Sequence, residues 1–220
     1  MSISENYLRL RDEIPKNVTL VSVSKTRTVD EIKAVYDVGE RDFGENKVQE
    51  IMEKYEQLPK DIRWHLIGHL QRNKVKYIVG KVHLIHSLDS VRLLEEIEKQ
   101  YGKRGVIADT LIQINIGREE SKTGIFIEDL EELLNACEKC SFVRVKGIMA
   151  TIPKGDDESS GYYFTKTREI FEELQGRNYK NITMETLSIG MSNDYKVALV
   201  TGSNMVRIGT GIFGQRNYNL

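Results

Sequence analysis

Lys25 stands directly after the apolar run VTLVSVS. A lysine at the end of a buried strand can act as a nucleophile, because poor solvation disfavours the ammonium form and the free amine forms a Schiff base with an aldehyde. Most lysines in such places simply reach water, so this position alone favours a solvated side chain. Two glycine-bearing segments near the carboxyl end shift that reading. They are Ser188-Ile189-Gly190-Met191-Ser192-Asn193-Asp194 and Arg207-Ile208-Gly209-Thr210-Gly211. Glycine allows close backbone approach, Ser192 and Thr210 offer hydroxyl donors, and helix amino ends present N–H groups to a phosphate. Either segment alone reads as an ordinary turn; the two together predict an anion cup. An amine beside such a cup describes a ligand that is both an aldehyde and a phosphate.

Other reactive residue types carry less. Cys137 and Cys140 are spaced C-x-x-C, but they fall late in a helical pattern (Leu130, Leu133, Leu134, Cys137) and four ligands are needed for structural zinc. His65 and His69 would share a helix face, yet Trp64 to Ile67 reads as a strand and Gly68 interrupts. No metal is therefore expected. His83 and His86 flank a short apolar strand, where packing or hydrogen bonding is the expected role. The loop Glu119-Glu120-Ser121-Lys122-Thr123-Gly124 reads as a solvated turn and is assigned no chemistry.

The elements that position these residues alternate. An opening amphipathic segment (Ile3, Tyr7, Leu8, Leu10) precedes a β-branched strand, Val18 to Ser24, and a helix beginning near Thr28. Further strands are expected at Asp42–Gly44, Arg63–Ile67, Val82–Ser87, Thr110–Ile116, Val143–Thr151, Thr183–Ser188 and Met205–Ile208. Helices fall between them: one ending at Tyr55, then Gln71–Ile78, Val91–Tyr101, Ile127–Cys140, Ser159–Gln175 and Asn193–Val200. About eight such units predict an α/β fold with parallel strands, and a closed (β/α)8 TIM barrel in preference to an open doubly wound sheet. The polar stretch Lys154 to Gly161 reads as a strand-to-helix loop, so residues 1–220 are expected to form one domain. In such barrels the chemistry lies at the carboxyl ends of the strands, and loops seven and eight frequently hold phosphate.

Composition narrows the classes of function. The 220 residues are 40% hydrophobic and 30% charged, an ordinary globular balance. Thirty-two basic and 33 acidic residues leave a net charge of -1, so no chain-wide cationic field favours nucleic acid or anionic lipid. The longest stretch free of charged residues and histidine, 197–206, is about half of what a bilayer crossing needs. Residues 1–17 carry charges throughout and lack the apolar core of a secretory signal. The expectation is a cytoplasmic protein.

Pyridoxal 5′-phosphate has both the aldehyde and the phosphate. The segments VSVSKT around Lys25, DFGENKVQE from Asp42, WHLIGHLQRNK from Trp64, LSIGMSNDY and VRIGTGIFGQR stand in one order along nearly the whole chain. In that order and spacing the sequence resembles the pyridoxal phosphate homeostasis proteins, relatives of the alanine racemase amino-terminal barrel. The resemblance implies a barrel of that type with Lys25 in the Schiff-base position. It implies that Asn46 lies close to the cofactor ring, that Ile67 and Met149 line the pocket, and that Ser192, Gly209 and Thr210 bind the phosphate with Met191 beside them. Arg207 matches an arginine facing the pyridine nitrogen. Gly211 stands where many members have alanine and Gln215 where many have glutamate; the extra glycine is expected to loosen the last loop.

The resemblance implies a protein that holds pyridoxal phosphate and hands it to apo-enzymes that depend on it. Arginine keeps its proton, so it leaves the ring nitrogen neutral and weakens the electron sink that catalysis draws on. Racemisation also needs acid–base groups on both faces of the substrate; alanine racemase takes its second one, a tyrosine, from an additional β domain that this chain has no length to encode. A binding role without strong catalysis ranks first, and an amino-acid racemase or lyase second. A phosphate-binding barrel using its lysine on a sugar aldehyde is the third reading. Without the additional domain a monomer is expected.

Overall fold

The computed structural model describes residues 1–120 and 122–215; Ser121 of the charged loop and Arg216 of the last motif lie outside the described residues. Eight parallel strands close into a barrel in sequence order. They are β1 (Thr19–Val23), β2 (Asp42–Glu45), β3 (Arg63–Leu66), β4 (Leu84–Leu88), β5 (Ala108–Ile114), β6 (Val143–Ala150), β7 (Ile182–Met191) and β8 (Met205–Ile208). The helices are α1 (Ile3–Glu13), α2 (Val29–Tyr36), α3 (Val48–Gln57), α4 (Val75–Ile78), α5 (Val91–Gly102), α6 (Leu130–Cys137), α7 (Asp157–Gln175), α8 (Tyr195–Val200) and α9 (Thr210–Phe213). No described helix is long and apolar enough to cross a membrane.

Local chemistry sets the helix starts. Ser2 with Glu5 and Thr28 with Glu31 form capping boxes at α1 and α2, and Ser90 and Asp156 cap α5 and α7 through their side chains. Side chains alternate along each strand. Residues such as Phe43, Trp64, Leu66 and Ile85 turn outward into the main core beneath the helices. Val21, Leu84, Leu111, Met149 and Met205 form a separate buried cluster, the apolar part of the barrel interior. The barrel closes where β8 pairs with β1, Val21 opposite Arg207 and Ser22 opposite Ile208.

Two glycines correct the sequence reading. β7 runs to Met191, three residues beyond its expected end, so Gly190 belongs to the strand. It has φ +94°, and a Cβ there would sit 2.6 Å from that of Ala198. Gly190 therefore lies in the strand and admits α8 to the sheet, where the sequence reading placed it in a loop. Gly211 lies within α9, where a Cβ would come within 3.2 Å of Leu10 on α1 and 3.1 Å of Ile208. It tightens the packing of the chain's two ends and does not loosen a loop. α1 is held to the same end by Asn6 Nδ2 donating to the Ile212 carbonyl and by the Tyr195 hydroxyl donating to Glu13.

Glu40, just before β2, is buried; its carboxylate accepts from the backbone N–H groups of Arg41 and Asp42 and from the Ser22 hydroxyl. Burial pushes its carboxyl up to about 7. The folded protein thus keeps a proton that the unfolded chain has already released near the ordinary carboxylate value. The resulting stability is complete below pH 4.5 and is lost as pH rises through 7. Glu40→Gln imitates the protonated acid. Urea denaturation should show the variant gaining about 2–3 kcal/mol on the wild type between pH 5 and pH 8; parallel profiles would contradict this account of Glu40.

Candidate functional site

Lys25 enters the barrel mouth from a β-turn. The Arg27 N–H donates to the Ser24 carbonyl at 3.0 Å, and Thr26 takes the left-handed φ of +64°, unusual for a β-branched residue. A buried ionic cluster holds both neighbours of Lys25. The Lys54 ammonium donates to the Ser24 carbonyl (2.9 Å), to Glu45 Oε1 (2.8 Å) and to Glu50 Oε2 (2.9 Å). The Thr26 N–H donates to the same Glu50 oxygen at 2.7 Å. Burial pushes Glu45 up to about 7. At Glu50 burial acts in the same direction, but the Thr26 and Lys54 bonds outweigh it and hold the carboxyl low. The cluster secures a turn whose conformation costs about 1–3 kcal/mol by itself.

Asn46 follows β2 and lies against Gly68. A Cβ on Gly68 would stand 2.3 Å from the Asn46 carbonyl oxygen, so glycine is required for the two loops to meet. Across the mouth, Ser192 Oγ accepts from the Gly209 N–H at 3.3 Å, which ties loop seven to loop eight. Asp194 Oδ1 accepts from the Met191 N–H at 2.6 Å and shapes the turn. Gly209 also lets β8 approach β1, since a Cβ there would lie 3.2 Å from the Val23 carbonyl oxygen. The first N–H groups of α9 lack intrahelical acceptors and belong to this mouth.

Arg207 is buried beneath the mouth. Its Nη1 donates to the Ser188 carbonyl (2.6 Å) and hydroxyl (2.5 Å), and Nη2 donates to the Ala150 carbonyl at 2.9 Å. Burial lowers the guanidinium to about 10, so it remains charged at neutral pH. A cleft of about 630 Å³ at the carboxyl end of the barrel brings together Lys25, Asn46, Ile67, Met191, Ser192, Arg207, Gly209 and Thr210. Met149 is not part of its wall; it packs in the apolar interior cluster, with Thr151 at the rim above it.

Sequence reasoning missed a second wall. Thr151 to Gly155, with Asp157 and Ser160, complete the cleft from the β6–α7 side. The signal was present, since a polar loop after strand six must open onto the same end as loops seven and eight. The Glu45–Lys54–Glu50 cluster gave no comparable signal. Cys137 and Cys140 are both buried, and burial pushes both thiols up, Cys140 to about 12; they are core residues. His65 and His86 hydrogen-bond to each other at 2.9 Å inside the barrel.

Comparison with known proteins follows the same lines. Residues 1–217 match the alanine racemase, N-terminal domain, family. The pyridoxal phosphate homeostasis protein of Aquifex aeolicus is 45% identical, covering 90% of this chain and 87% of that protein. The protein of the same name from Escherichia coli K12 is 36% identical, covering 99% and 98%. Among solved structures, PipY of Synechococcus elongatus with PLP bound superposes with a TM-score of 0.90 at 33% identity, covering 97% of this chain and all of that one. An alanine racemase from Clostridium difficile, 13% identical with a TM-score of 0.77, shares the fold; it covers 99% of this chain and 60% of the racemase. The chain belongs to the pyridoxal phosphate homeostasis proteins, within the alanine racemase amino-terminal domain family.

Proposed function

We propose that this protein holds pyridoxal 5′-phosphate through its aldehyde on Lys25 and passes it to dependent apo-enzymes, with little or no catalysis of its own. The observation that carries this reading is the meeting of Lys25, Arg207 and the Ser192–Gly209–Thr210 grip in one cleft. The donor set suits the group: an amine for the aldehyde, hydroxyls and backbone N–H groups for the phosphate, and a fixed cation for the ring nitrogen. Val23 and Ile67 offer apolar surface. The names of the relatives and the PLP-bound PipY structure support the same choice.

Bound pyridoxal phosphate supplies an electron sink to amino-acid carbons, strongest when its ring nitrogen is protonated. Arg207 opposes that use. Its guanidinium is held by three acceptors and keeps its own proton at neutral pH, so it can donate to the ring nitrogen but does not protonate it. Lys25 has its backbone position set by the Glu50 and Lys54 bonds to its two neighbours. Ser192 and Thr210 anchor the anion while the Asn46–Gly68 contact shapes the opposite lip. These are the properties of a holder. We assign the work to the cytoplasm, to a single barrel domain and to a monomer.

Titration with pyridoxal phosphate should give a visible absorbance band that borohydride removes, leaving the reduced label on Lys25. Lys25→Ala should lose the band but keep weak, phosphate-dependent affinity; an unchanged spectrum would refute the assignment. Ser192→Ala or Thr210→Ala should each weaken retention about tenfold, the scale of one hydrogen bond to a charged group. Cys137→Ala should leave retention unchanged, and equal loss from all three would undo the proposed phosphate grip. Gly68→Ala should lower retention by forcing the Asn46 loop outward, measured as faster cofactor loss with the fold intact by circular dichroism. Exchange of amino-acid α-protons should stay far below ordinary turnover of roughly 1–10³ per second; rates in that range would favour a racemase.

A further inference from the structure

A chain of buried polar groups leads from Arg207 down through the barrel to its opposite mouth. Arg207 Nη1 donates to Ser188 Oγ. Ser188 Oγ lies 3.3 Å from His86 Nδ1, His86 Nε2 lies 2.9 Å from His65 Nδ1, and His65 Nε2 lies 3.0 Å from Asp42 Oδ1. Arg63 closes the far end by donating to both oxygens of Asp42. Ser188, His65 and His86 are buried to within 1% exposure, so water does not substitute for these partners.

The two ends fix the direction of the hydrogen bonds. A guanidinium can only donate and a carboxylate can only accept. Starting at Asp42, His65 carries a proton on Nε2, and as a neutral ring it accepts on Nδ1. His86 then donates from Nε2 and accepts on Nδ1, and the Ser188 hydroxyl points at His86 while its lone pair takes the Arg207 proton. Each link then has one donor and one acceptor. Running the chain the other way with neutral rings would turn a bare His65 Nε2 lone pair against the Asp42 carboxylate. The electrostatics agree. Burial, together with the nearby Arg207 guanidinium, holds His86 well below its ordinary value, so this ring is neutral. Burial opposes the charge on Asp42, but its bonds to Arg63 and His65 outweigh that and hold the carboxyl well below the usual range. His83, just before β4, adds an edge-on ring contact to His65 at 5.6 Å.

We propose that His86, His65 and Asp42 are positioning residues that lock this donor direction and thereby hold Arg207 with its remaining N–H groups toward the cleft. The proposal rests on the reading that Arg207 meets the cofactor's ring nitrogen. It assigns work to residues on β2, β3 and β4 that do not line the cleft and act through Ser188.

Two measurements test it. In ligand-free, ¹⁵N-labelled protein at pH 7, long-range proton–nitrogen spectra should show His65 and His86 both protonated on Nε2 with bare Nδ1. A proton on His86 Nδ1 would overturn the proposal whether or not any cofactor binds, so this arm stands apart from the proposed function. The second is a double-mutant cycle on the rate at which pyridoxal phosphate leaves the loaded protein. Asp42→Asn should scramble the tautomers and speed release about tenfold, and in a Ser188→Ala background, where the chain is already cut, the same change should add less than about twofold. An equal increment in both backgrounds would mark Asp42 as a general stability residue and refute the proposal. Absence of the Lys25-dependent visible band in the wild type would instead refute the proposed function and leave the spectra to decide the chain.

Discussion

The pairing of the last strand with the first is the constraint on which the site depends. Val21 stands opposite Arg207 and Ser22 opposite Ile208, so the inward faces of β1 and β8 rise together toward Lys25 on one side and Gly209 on the other. A slip of one residue would turn Arg207 outward and separate it from the cleft that also holds Lys25. Gly209 keeps this seam close, since a Cβ there would press on the Val23 carbonyl at 3.2 Å. The contacts of α1 with the end of α9 and with α8 secure the seam from outside. Closure of the barrel and assembly of the site are thus the same event.

The barrel interior is divided between two kinds of packing. One part is apolar, filled by Val21, Leu84, Leu111, Met149 and Met205. The other is a polar file from Arg207 to Asp42, in which each buried group meets a partner. Buried charge without such partners would cost several kcal/mol, roughly the scale that separates a stable domain from an unstable one. In the ionic cluster beside β1, Lys54 bonds both Glu45 and Glu50 and also the turn that carries Lys25, while Glu45 Oε2 is left buried without a partner. Both networks serve the cleft from behind: one sets where the lysine backbone emerges, the other which way the arginine donates.

Much of this was legible in the sequence because it is carried by local pattern. Alternating β-branched and amphipathic runs gave eight strands, and the rule that loops gather at the carboxyl ends brought Lys25, Ser192 and Thr210 to one mouth. Gly190 and Gly211 were misread for a physical reason. Glycine marks a close approach without saying what approaches, and here the nearest neighbours are Ala198 of α8 for Gly190, and Ile208 and Leu10 of α1 for Gly211. Met149 takes an inward-facing strand position in the apolar interior cluster, with Thr151 between it and the cleft. The polar networks were invisible because His65, His86 and Ser188 come from three strands, the last 102 residues beyond His86, and meet only once the barrel has closed.

The central claim is that one amine and one guanidinium serve the two ends of a single ring whose phosphate is gripped between loops seven and eight. A crystal structure of the protein grown with pyridoxal 5′-phosphate tests it most directly. The account predicts continuous density from Lys25 Nζ to the cofactor, the phosphate against Ser192, Gly209 and Thr210, and the ring nitrogen within hydrogen-bonding distance of Arg207. Density for the cofactor elsewhere on the barrel, or in the cleft with its ring nitrogen turned from Arg207, would contradict it.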